Sequence, residues 1–196
     1  MQQILDVNRW DNFLPQPLWQ EVLNHFEKNI CWTYGWPSDK TISEFTHWHR
    51  DFLERGAMDL VVAKIWNHLV SFNLQGHELV RCYANAHTYG VEGYPHRDAH
   101  EDGNYTSMLY IVPPWKVEWA GETMFFNDTG EITGGVLPAP NRVVTFNGKQ
   151  LHAGRAVSRI CPGLRVVLVF KSRIKPAASV SATEPPLAPE TLIGSV

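Results

Sequence analysis

Two segments in the first 75 residues have the hydrophobic spacing of amphipathic helices. The first follows Pro15, carries Pro17 in its first turn, and repeats apolar side chains at three- and four-residue steps: Leu18, Trp19, Val22, Leu23 and Phe26. The second runs from about Met58 to Phe72 and has one broad apolar side. Between them, residues 31–56 are aromatic and polar without a clear period. We interpret that stretch as loop and short turns over the core.

From residue 78 the pattern changes to short strand-like runs separated by Gly, Pro and Asn. The first is Leu79–Ala84, and the others are predicted near 105–112, 121–126, 131–137, 142–147 and 164–171. Short strands between such turns are typical of an antiparallel sandwich or barrel. Because the helices come first, we expect a mainly β fold of the α+β class. This fold is a double-stranded β-helix, or jelly roll, with the N-terminal helices packed on one sheet.

The length of 196 residues suits one domain with a substantial core. We predict a single domain over residues 1–175, with helical support in 1–75 and the jelly-roll core in 78–172. Residues 176–196 are rich in Pro, Ala and Ser and contain no aromatic side chain, so we expect a flexible tail.

Composition narrows the range of partners and compartments. A formal net charge of -3 provides no general basic surface, which disfavours nucleic acid as a partner. The N-terminus resembles no signal peptide, and no apolar run approaches the roughly 18 residues of a membrane span. Three widely spaced cysteines, Cys31, Cys82 and Cys161, suggest free thiols. We therefore expect a cytoplasmic protein without a membrane partner, whose oligomeric state is open.

The candidate metal ligands lie in the motif Tyr94-Pro-His-Arg-Asp98 and, further downstream, at His152. In an extended strand His96 and Asp98 project from the same face, because successive side chains alternate. Two imidazoles and one carboxylate can bind one face of a metal ion and leave the other face open. That arrangement is typical of non-haem Fe(II) oxygenases. A structural Zn²⁺ site is the alternative, but such sites usually have four protein ligands, often cysteines.

A 2-oxo acid cosubstrate would need a cation for its far carboxylate. Arg165 begins the last apolar strand, where its planar guanidinium would be held in a fixed position. Arg155 and Arg159 compete for this role. A hydroxyl from Tyr83 or Tyr110 could complete the anchor.

Several other polar residues near the motif have simpler interpretations. We interpret His100 as a surface histidine, Arg97 as a salt-bridge residue, and the pair His47 and His49 as surface or lid residues without a ligand role. Two weaker candidates for cosubstrate contact are Asn85 and Thr106.

The motifs that contain the candidate metal ligands and cosubstrate-binding residues resemble those of the Fe(II)/2-oxoglutarate-dependent dioxygenases, in particular the prolyl-hydroxylase-like branch. The resemblance covers about residues 79–171. It rests on Arg81-Cys-Tyr83, His96-Arg-Asp98, Thr106–Ile111 with Trp115, and Ala120-Gly-Glu-Thr-Met-Phe-Phe126, where Ala120 replaces the first glycine of the family's Gly-Gly-Glu-Thr turn. His152 and Arg165 match the distal metal ligand and the oxoglutarate-binding basic residue. The loop at 85–94 and the segment between His152 and Arg165 are longer than in the oxygen-sensing enzymes.

The resemblance implies a hydroxylase that uses Fe(II), 2-oxoglutarate and O2, with ascorbate as a candidate reductant. His96, Asp98 and His152 would be the metal ligands, and Arg165, Tyr83 and Tyr110 would bind 2-oxoglutarate. Because an aspartate occupies the carboxylate position, hydroxylation is favoured over halogenation.

Three functional hypotheses follow. The first is hydroxylation of an unactivated C–H in a small molecule, either a free amino acid or a natural-product intermediate, with release of succinate and CO2. The second is a prolyl hydroxylase acting on a protein or peptide. The third is a catalytically silent jelly-roll binding module, although such a module has no need of an intact His96, Asp98, His152 and Arg165.

Overall fold

Most of the described strands form two antiparallel sheets that face each other. The computed structural model describes residues 7–28, 30–39, 42–54 and 56–176. The elements in chain order are β1 (Val7–Trp10), α1 (Gln16–Lys28), β2 (Thr33–Asp39), β3 (Ile42–Asp51), β4 (Leu53–Glu54), β5 (Ala57–Met58), α2 (Leu60–Phe72), β6 (His77–His87), β7 (Asn104–Tyr110), a 3-10 turn (Val117–Trp119), β8 (Thr123–Phe126), β9 (Ile132–Val136), β10 (Arg142–Asn147), β11 (His152–Gly154) and β12 (Arg165–Ile174).

The larger sheet has seven strands in the order β1-β10-β7-β12-β6-β3-β2, and the smaller has three in the order β11-β8-β9. Neighbouring strands in both sheets are antiparallel. Strands β4 and β5 make a separate short ribbon. This is the jelly roll with flanking helices that the sequence predicts.

Alternation along the central strand β12 separates two hydrophobic clusters. Val166, Leu168 and Phe170 join the cluster that includes side chains of both helices. Val167 and Val169 join a second cluster with side chains of β8 and β9, which lies between the sheets. Because side chains of a strand alternate between faces, Arg165 and Lys171 belong to the second face, which is the one that carries the site.

Both helices form where the sequence predicts them. In α1 the most buried side chains are Trp19 and Val22. Helix α2 begins after Asp59, whose carboxylate accepts hydrogen bonds from the backbone N–H groups of Val61 and Val62. This cap satisfies two donors that have no partner within the helix.

The interpretation of residues 31–56 as a loop was wrong. Most of that stretch forms strands β2 and β3, which pair with each other and extend the larger sheet beyond β6. The register shifts between Tyr34 and Trp36, and β3 turns His47 and His49 toward the inside. A bulge and a polar inward face together remove the hydrophobic alternation by which strands are recognised. The short strands β1 and β11 were not predicted either.

The single domain over residues 1–175 stays a prediction. The tail predicted at 176–196 lies outside the described residues except for Pro176. Among the helices that the structure describes, none has the length and hydrophobicity to span a membrane.

Candidate active site

Three residues that are distant in sequence meet at one end of the space between the sheets. His152 begins β11, and its backbone exchanges two hydrogen bonds of 3.0 Å with the backbone of His96. Asp98 follows two residues later and is anchored by its own N–H, which donates to Gly148 O at 2.9 Å. This backbone pairing brings the two halves of the predicted motif together.

The side chains of His96, Asp98 and His152 converge. Each offers one ligand atom, and these atoms lie within 4.8 Å of one another. His96 Nε2 is 3.3 Å from Asp98 Oδ1, and His152 Nε2 is 3.7 Å from Asp98 Oδ2. No other group of this kind occurs in the described part of the chain.

The orientation of both imidazoles fits a divalent metal. Nδ1 of His96 donates to Tyr94 O at 2.7 Å, and Nδ1 of His152 donates to Gln150 O at 2.9 Å. A carbonyl oxygen can only accept, so both Nδ1 atoms carry hydrogen, and the Nε2 atom of each ring faces the carboxylate, where it can bind a metal ion after loss of any proton. Metal-binding histidines in proteins are usually fixed in this way.

Asp98 is held at both carboxylate oxygens. The Thr106 hydroxyl donates to Oδ2 at 2.5 Å, and Lys171 Nζ lies 2.7 Å from Oδ1. Burial alone would raise the pKa of Asp98, but the electrostatic interaction with His152, the hydrogen bond with His96 and the charge of Lys171 hold this pKa well below its usual range. Asp98 is therefore ionised at neutral pH and ready to bind a cation.

The histidine pKa values shift in opposite directions. Burial lowers the pKa of His152 to about 4, so its imidazole is neutral at neutral pH. For His96, burial also lowers the pKa, but the hydrogen bond to Asp98 and its charge outweigh this and raise the pKa overall. A bound cation would displace any proton between His96 and Asp98.

Arg165 lies at the other end of the space between the sheets and is only 3% exposed. Its Nε donates to Gly121 O and its Nη2 donates to Thr123 Oγ1 at 2.7 Å. Burial lowers the pKa of Arg165, but from a starting value so high that the guanidinium stays charged. No carboxylate of the described residues lies within ion-pair distance of it. A buried cation without an anion is costly, and this one is suited to bind a carboxylate.

One cavity connects these two ends. The triad, Thr106 and Arg165 line it, and Asn85, Met108, Val167 and Val169 form the wall between them. The cavity therefore has a metal-binding end, a mostly apolar middle and a cationic end.

The other residues considered for binding the cosubstrate do not all lie beside Arg165. The Tyr110 hydroxyl shares Thr123 Oγ1 with Arg165, at 2.7 Å. Tyr83 lies further along β6 near the metal-binding end, opposite Val169, with its ring 5.7 Å from Lys171 Nζ. Arg155 is exposed and 3.9 Å from Glu92, and Arg159 is also exposed.

The interpretations of Arg97 and His100 were confirmed. Arg97 forms a salt bridge with Asp128 at 2.8 Å, and His100 is exposed. Asn85 and Thr106 both line the cavity. The start of the loop predicted at 85–94 was wrong, because β6 runs to His87 and the loop begins at residue 88.

The interpretation of His47 and His49 as surface residues was wrong. They are 2% and 3% exposed, and His47 lies beside the equally buried His87, with ring centroids 5.5 Å apart. Burial lowers the pKa of His47 to about 4 and that of His87 to well below its usual value. The sequence alone contained one usable signal: His47 and His49 are two residues apart, which is the spacing of side chains on one face of a strand.

Lys171, Thr123 and Gly154 were also missed. Lys171 could have been recognised because it lies six residues after Arg165 and so on the same face of an apolar strand.

Comparison with known proteins agrees with this geometry. The family model described as "2OG-Fe(II) oxygenase superfamily" matches residues 80–170, which include the triad and Arg165. No curated protein sequence matches the chain. The chain matches the 2OG-Fe(II) oxygenase superfamily in its family model, its jelly roll and its triad. It is a dioxygenase that uses Fe(II), 2-oxoglutarate and O2.

Solved structures with the same fold include prolyl hydroxylases. A prolyl-4-hydroxylase from Pseudomonas putida is 17% identical, with a TM-score of 0.58 over 88% of this chain and 94% of that one. A Trichoplax adhaerens prolyl hydroxylase, in complex with a hypoxia-inducible-factor peptide fragment, is 15% identical, with a TM-score of 0.63 over 86% and 83%. HygX from Streptomyces hygroscopicus, with nickel, 2-oxoglutarate and hygromycin B bound, is 12% identical, with a TM-score of 0.60 over 86% and 83%.

Proposed function

We propose that this enzyme hydroxylates an unactivated C–H bond of a small molecule, with release of succinate and CO2. In this proposal His96, Asp98 and His152 hold Fe(II), and Arg165 binds the far carboxylate of 2-oxoglutarate. The observation that carries the proposal is that one cavity contains both a metal-binding triad and a buried guanidinium with no carboxylate partner among the described residues.

At the cationic end the cosubstrate carboxylate would accept hydrogen bonds from Arg165. Thr123 and Tyr110 support this anchor, because both hydroxyls belong to the same hydrogen-bonded group as the guanidinium. Gly154 leaves the space open, since a Cβ built there would lie 3.5 Å from Arg165 Nη1. Backbone geometry therefore reserves room beside the cation for a ligand.

At the metal-binding end, the keto-acid group of 2-oxoglutarate would lie near Tyr83. Burial, followed by the charge of Asp98, raises the pKa of Tyr83 to about 12, so the phenol stays protonated and can donate a hydrogen bond. The apolar wall between the two ends excludes water from the cosubstrate. Iron held by the triad would supply the redox chemistry that couples oxidative decarboxylation of 2-oxoglutarate to transfer of one oxygen atom of O2 to the substrate.

A prolyl hydroxylase acting on a protein or peptide is the alternative. It is favoured by β2, which is the last strand of the larger sheet in the described structure and carries the exposed side chains of Tyr34 and Trp36. An extended peptide can add to such an edge through main-chain hydrogen bonds. The small-molecule proposal is favoured by HygX, which shares the fold and has hygromycin B bound in its structure.

The test is anaerobic titration of the metal-free protein with Fe(II) and 2-oxoglutarate. Binding is monitored through the visible charge-transfer band that the family resemblance implies. We expect a band in the wild type, loss of the band in His96→Ala, and a weaker 2-oxoglutarate affinity in Arg165→Ala. Arg155→Ala is the matched control, because Arg155 is exposed and paired with Glu92. Tight zinc binding without a band would contradict the proposal.

Succinate release then separates the substrates. Release stimulated by amino acids or other small molecules supports the first proposal, whereas release stimulated only by proline-containing peptides supports the alternative. A His96→Ala protein that folds but has lost turnover excludes a silent binding module, while unchanged function would favour one.

A further inference from the structure

Two cations lie directly opposite each other at the metal-binding end of the cavity. Lys171 on β12 pairs in register with Arg81 on β6, and both flank the ring of Tyr83. Lys171 Nζ is 5.7 Å from the centre of this ring and the guanidinium carbon of Arg81 is 4.5 Å from it. Like charges directly opposite in a sheet are destabilising, so each cation needs an anionic partner.

Among the residues that the structure describes, each cation has one acidic partner. Lys171 Nζ is 2.7 Å from Asp98 Oδ1, and Arg81 Nη2 is 3.5 Å from Asp51 Oδ1. Asp98 is the only acid within ion-pair distance of Lys171 in the part of the chain described here. The partner of Lys171 is thus also a proposed metal ligand.

Metal binding would remove this compensation. A divalent ion carries two positive charges, and Asp98 and the keto-acid carboxylate of 2-oxoglutarate supply two negative charges. The ammonium of Lys171 then has no counterion, although its side chain is only 22% exposed. A partly buried charge without a partner is costly, which creates a site for one further anionic group.

The site is also accessible. Arg81 and Trp36 are each 36% exposed, and the guanidinium carbon of Arg81 lies 5.2 Å from the centre of the Trp36 ring. His96, on the metal itself in the proposed function, is 21% exposed.

We propose that Lys171 binds a carboxylate of the substrate beside the metal, and that the substrate is a small carboxylic acid. Arg81 is the second cation, at the outer edge of this site. The inference rests on the proposed function, because it requires a metal at Asp98. Carboxylate binding should therefore depend on metal loading.

The probe is propionate, with propionamide as the uncharged analogue, titrated at constant ionic strength into protein loaded with Ni(II) and 2-oxoglutarate. Binding is followed by calorimetry and by tryptophan fluorescence. We expect propionate to bind at least tenfold more tightly than propionamide, and at least tenfold more tightly to loaded than to metal-free protein. This comparison uses the wild type alone, so it does not depend on the folding of a variant.

Substitutions then test whether Lys171 is the residue that binds the carboxylate. Lys171→Met should remove the preference for propionate over propionamide, and Lys171→Arg should restore part of it. Lys64→Met is the matched control, because Lys64 is also salt-bridged, to Glu21, but lies on α2. It should behave as the wild type.

Each other outcome overturns the inference. Propionate binding that persists in Lys171→Met would mean that the carboxylate ligates the metal directly. Absence of propionate binding, with Ni(II) and 2-oxoglutarate bound normally, would overturn the inference and leave the proposed function intact. Failure of Ni(II) and 2-oxoglutarate to bind would overturn both.

Discussion

Arg165 and Lys171 project from the same face of β12 and contact opposite ends of one cavity. Arg165 reaches Gly121 and Thr123 at the cationic end, and Lys171 reaches Asp98 at the metal-binding end. Val167 and Val169 lie between them on that face and line or border the apolar middle. One strand thus positions both ends of the site, because its alternate residues share a face.

The first prediction concerns Gly154, which leaves room beside Arg165. A Cβ at this position would lie 2.9 Å from His87 Cε1 and 3.5 Å from Arg165 Nη1. Gly154→Ala should therefore weaken 2-oxoglutarate binding by about tenfold or more, since His87, which lines the cavity, would have to shift in a closely packed site. The measurement is the 2-oxoglutarate dissociation constant of the metal-loaded protein.

Gly163→Ala is the control for this substitution, because no atom lies within 4 Å of a Cβ built there. Equal affinities in the two variants would contradict the idea that the space at Gly154 accommodates the cosubstrate.

The second prediction concerns Thr106, which is 1% exposed and donates to Asp98 Oδ2. Thr106→Val keeps the shape but removes the donor that fixes the carboxylate. We expect affinity for Mn(II) or Fe(II) to fall by about 10- to 100-fold, as is usual for partners of metal ligands. Thr145→Val, which removes a hydrogen bond to Ser107 away from the triad, should lower stability and leave metal affinity unchanged.

The third prediction concerns pH and the buried imidazole of His47. Its pKa falls from 6.5 to about 4 in the folded protein, chiefly through burial. The unfolded chain therefore binds a proton more readily than the folded chain below pH 6.5. His47 thus contributes a loss of stability as the pH falls from 6.5 toward 4, of at most about 3 kcal/mol.

Urea unfolding of the metal-free protein between pH 7.5 and pH 4.5 measures this effect. His47→Gln should flatten the dependence by up to one proton relative to the wild type. An identical slope in both proteins would show that His47 is not buried in its neutral form.

The fourth prediction concerns Ala120, which replaces the first glycine of the turn that resembles the family. Its φ is 54° and its ψ is -142°, a conformation that favours glycine. Ala120→Gly should raise the free energy of unfolding by about 1 kcal/mol, because relief of backbone strain exceeds the extra entropy of the unfolded chain. Ala63→Gly within α2 should instead lower it, and denaturant unfolding of both variants is the measurement.

The sequence by itself determined most of the secondary structure and the chemistry of the site. The apolar stripes of α1 and α2, the strands from β6 to β10 and strand β12 were readable from hydrophobic and turn-forming residues. His96, Asp98, His152 and Arg165 were recognisable as candidates because of their residue types and positions beside strands. The family match over residues 80–170 supports that interpretation.

Tertiary structure decided what depends on pairing across the chain. Strand β3 buries the polar side chains of His47 and His49, so its sequence lacks the hydrophobic alternation of a strand. Only its pairing with β6 in the structure shows that it is one. The contact of Lys171 with Asp98 joins residues 73 positions apart, and no local pattern encodes such a distance. Local periodicity specifies which elements form, whereas the register between strands decides which polar side chains share a cavity.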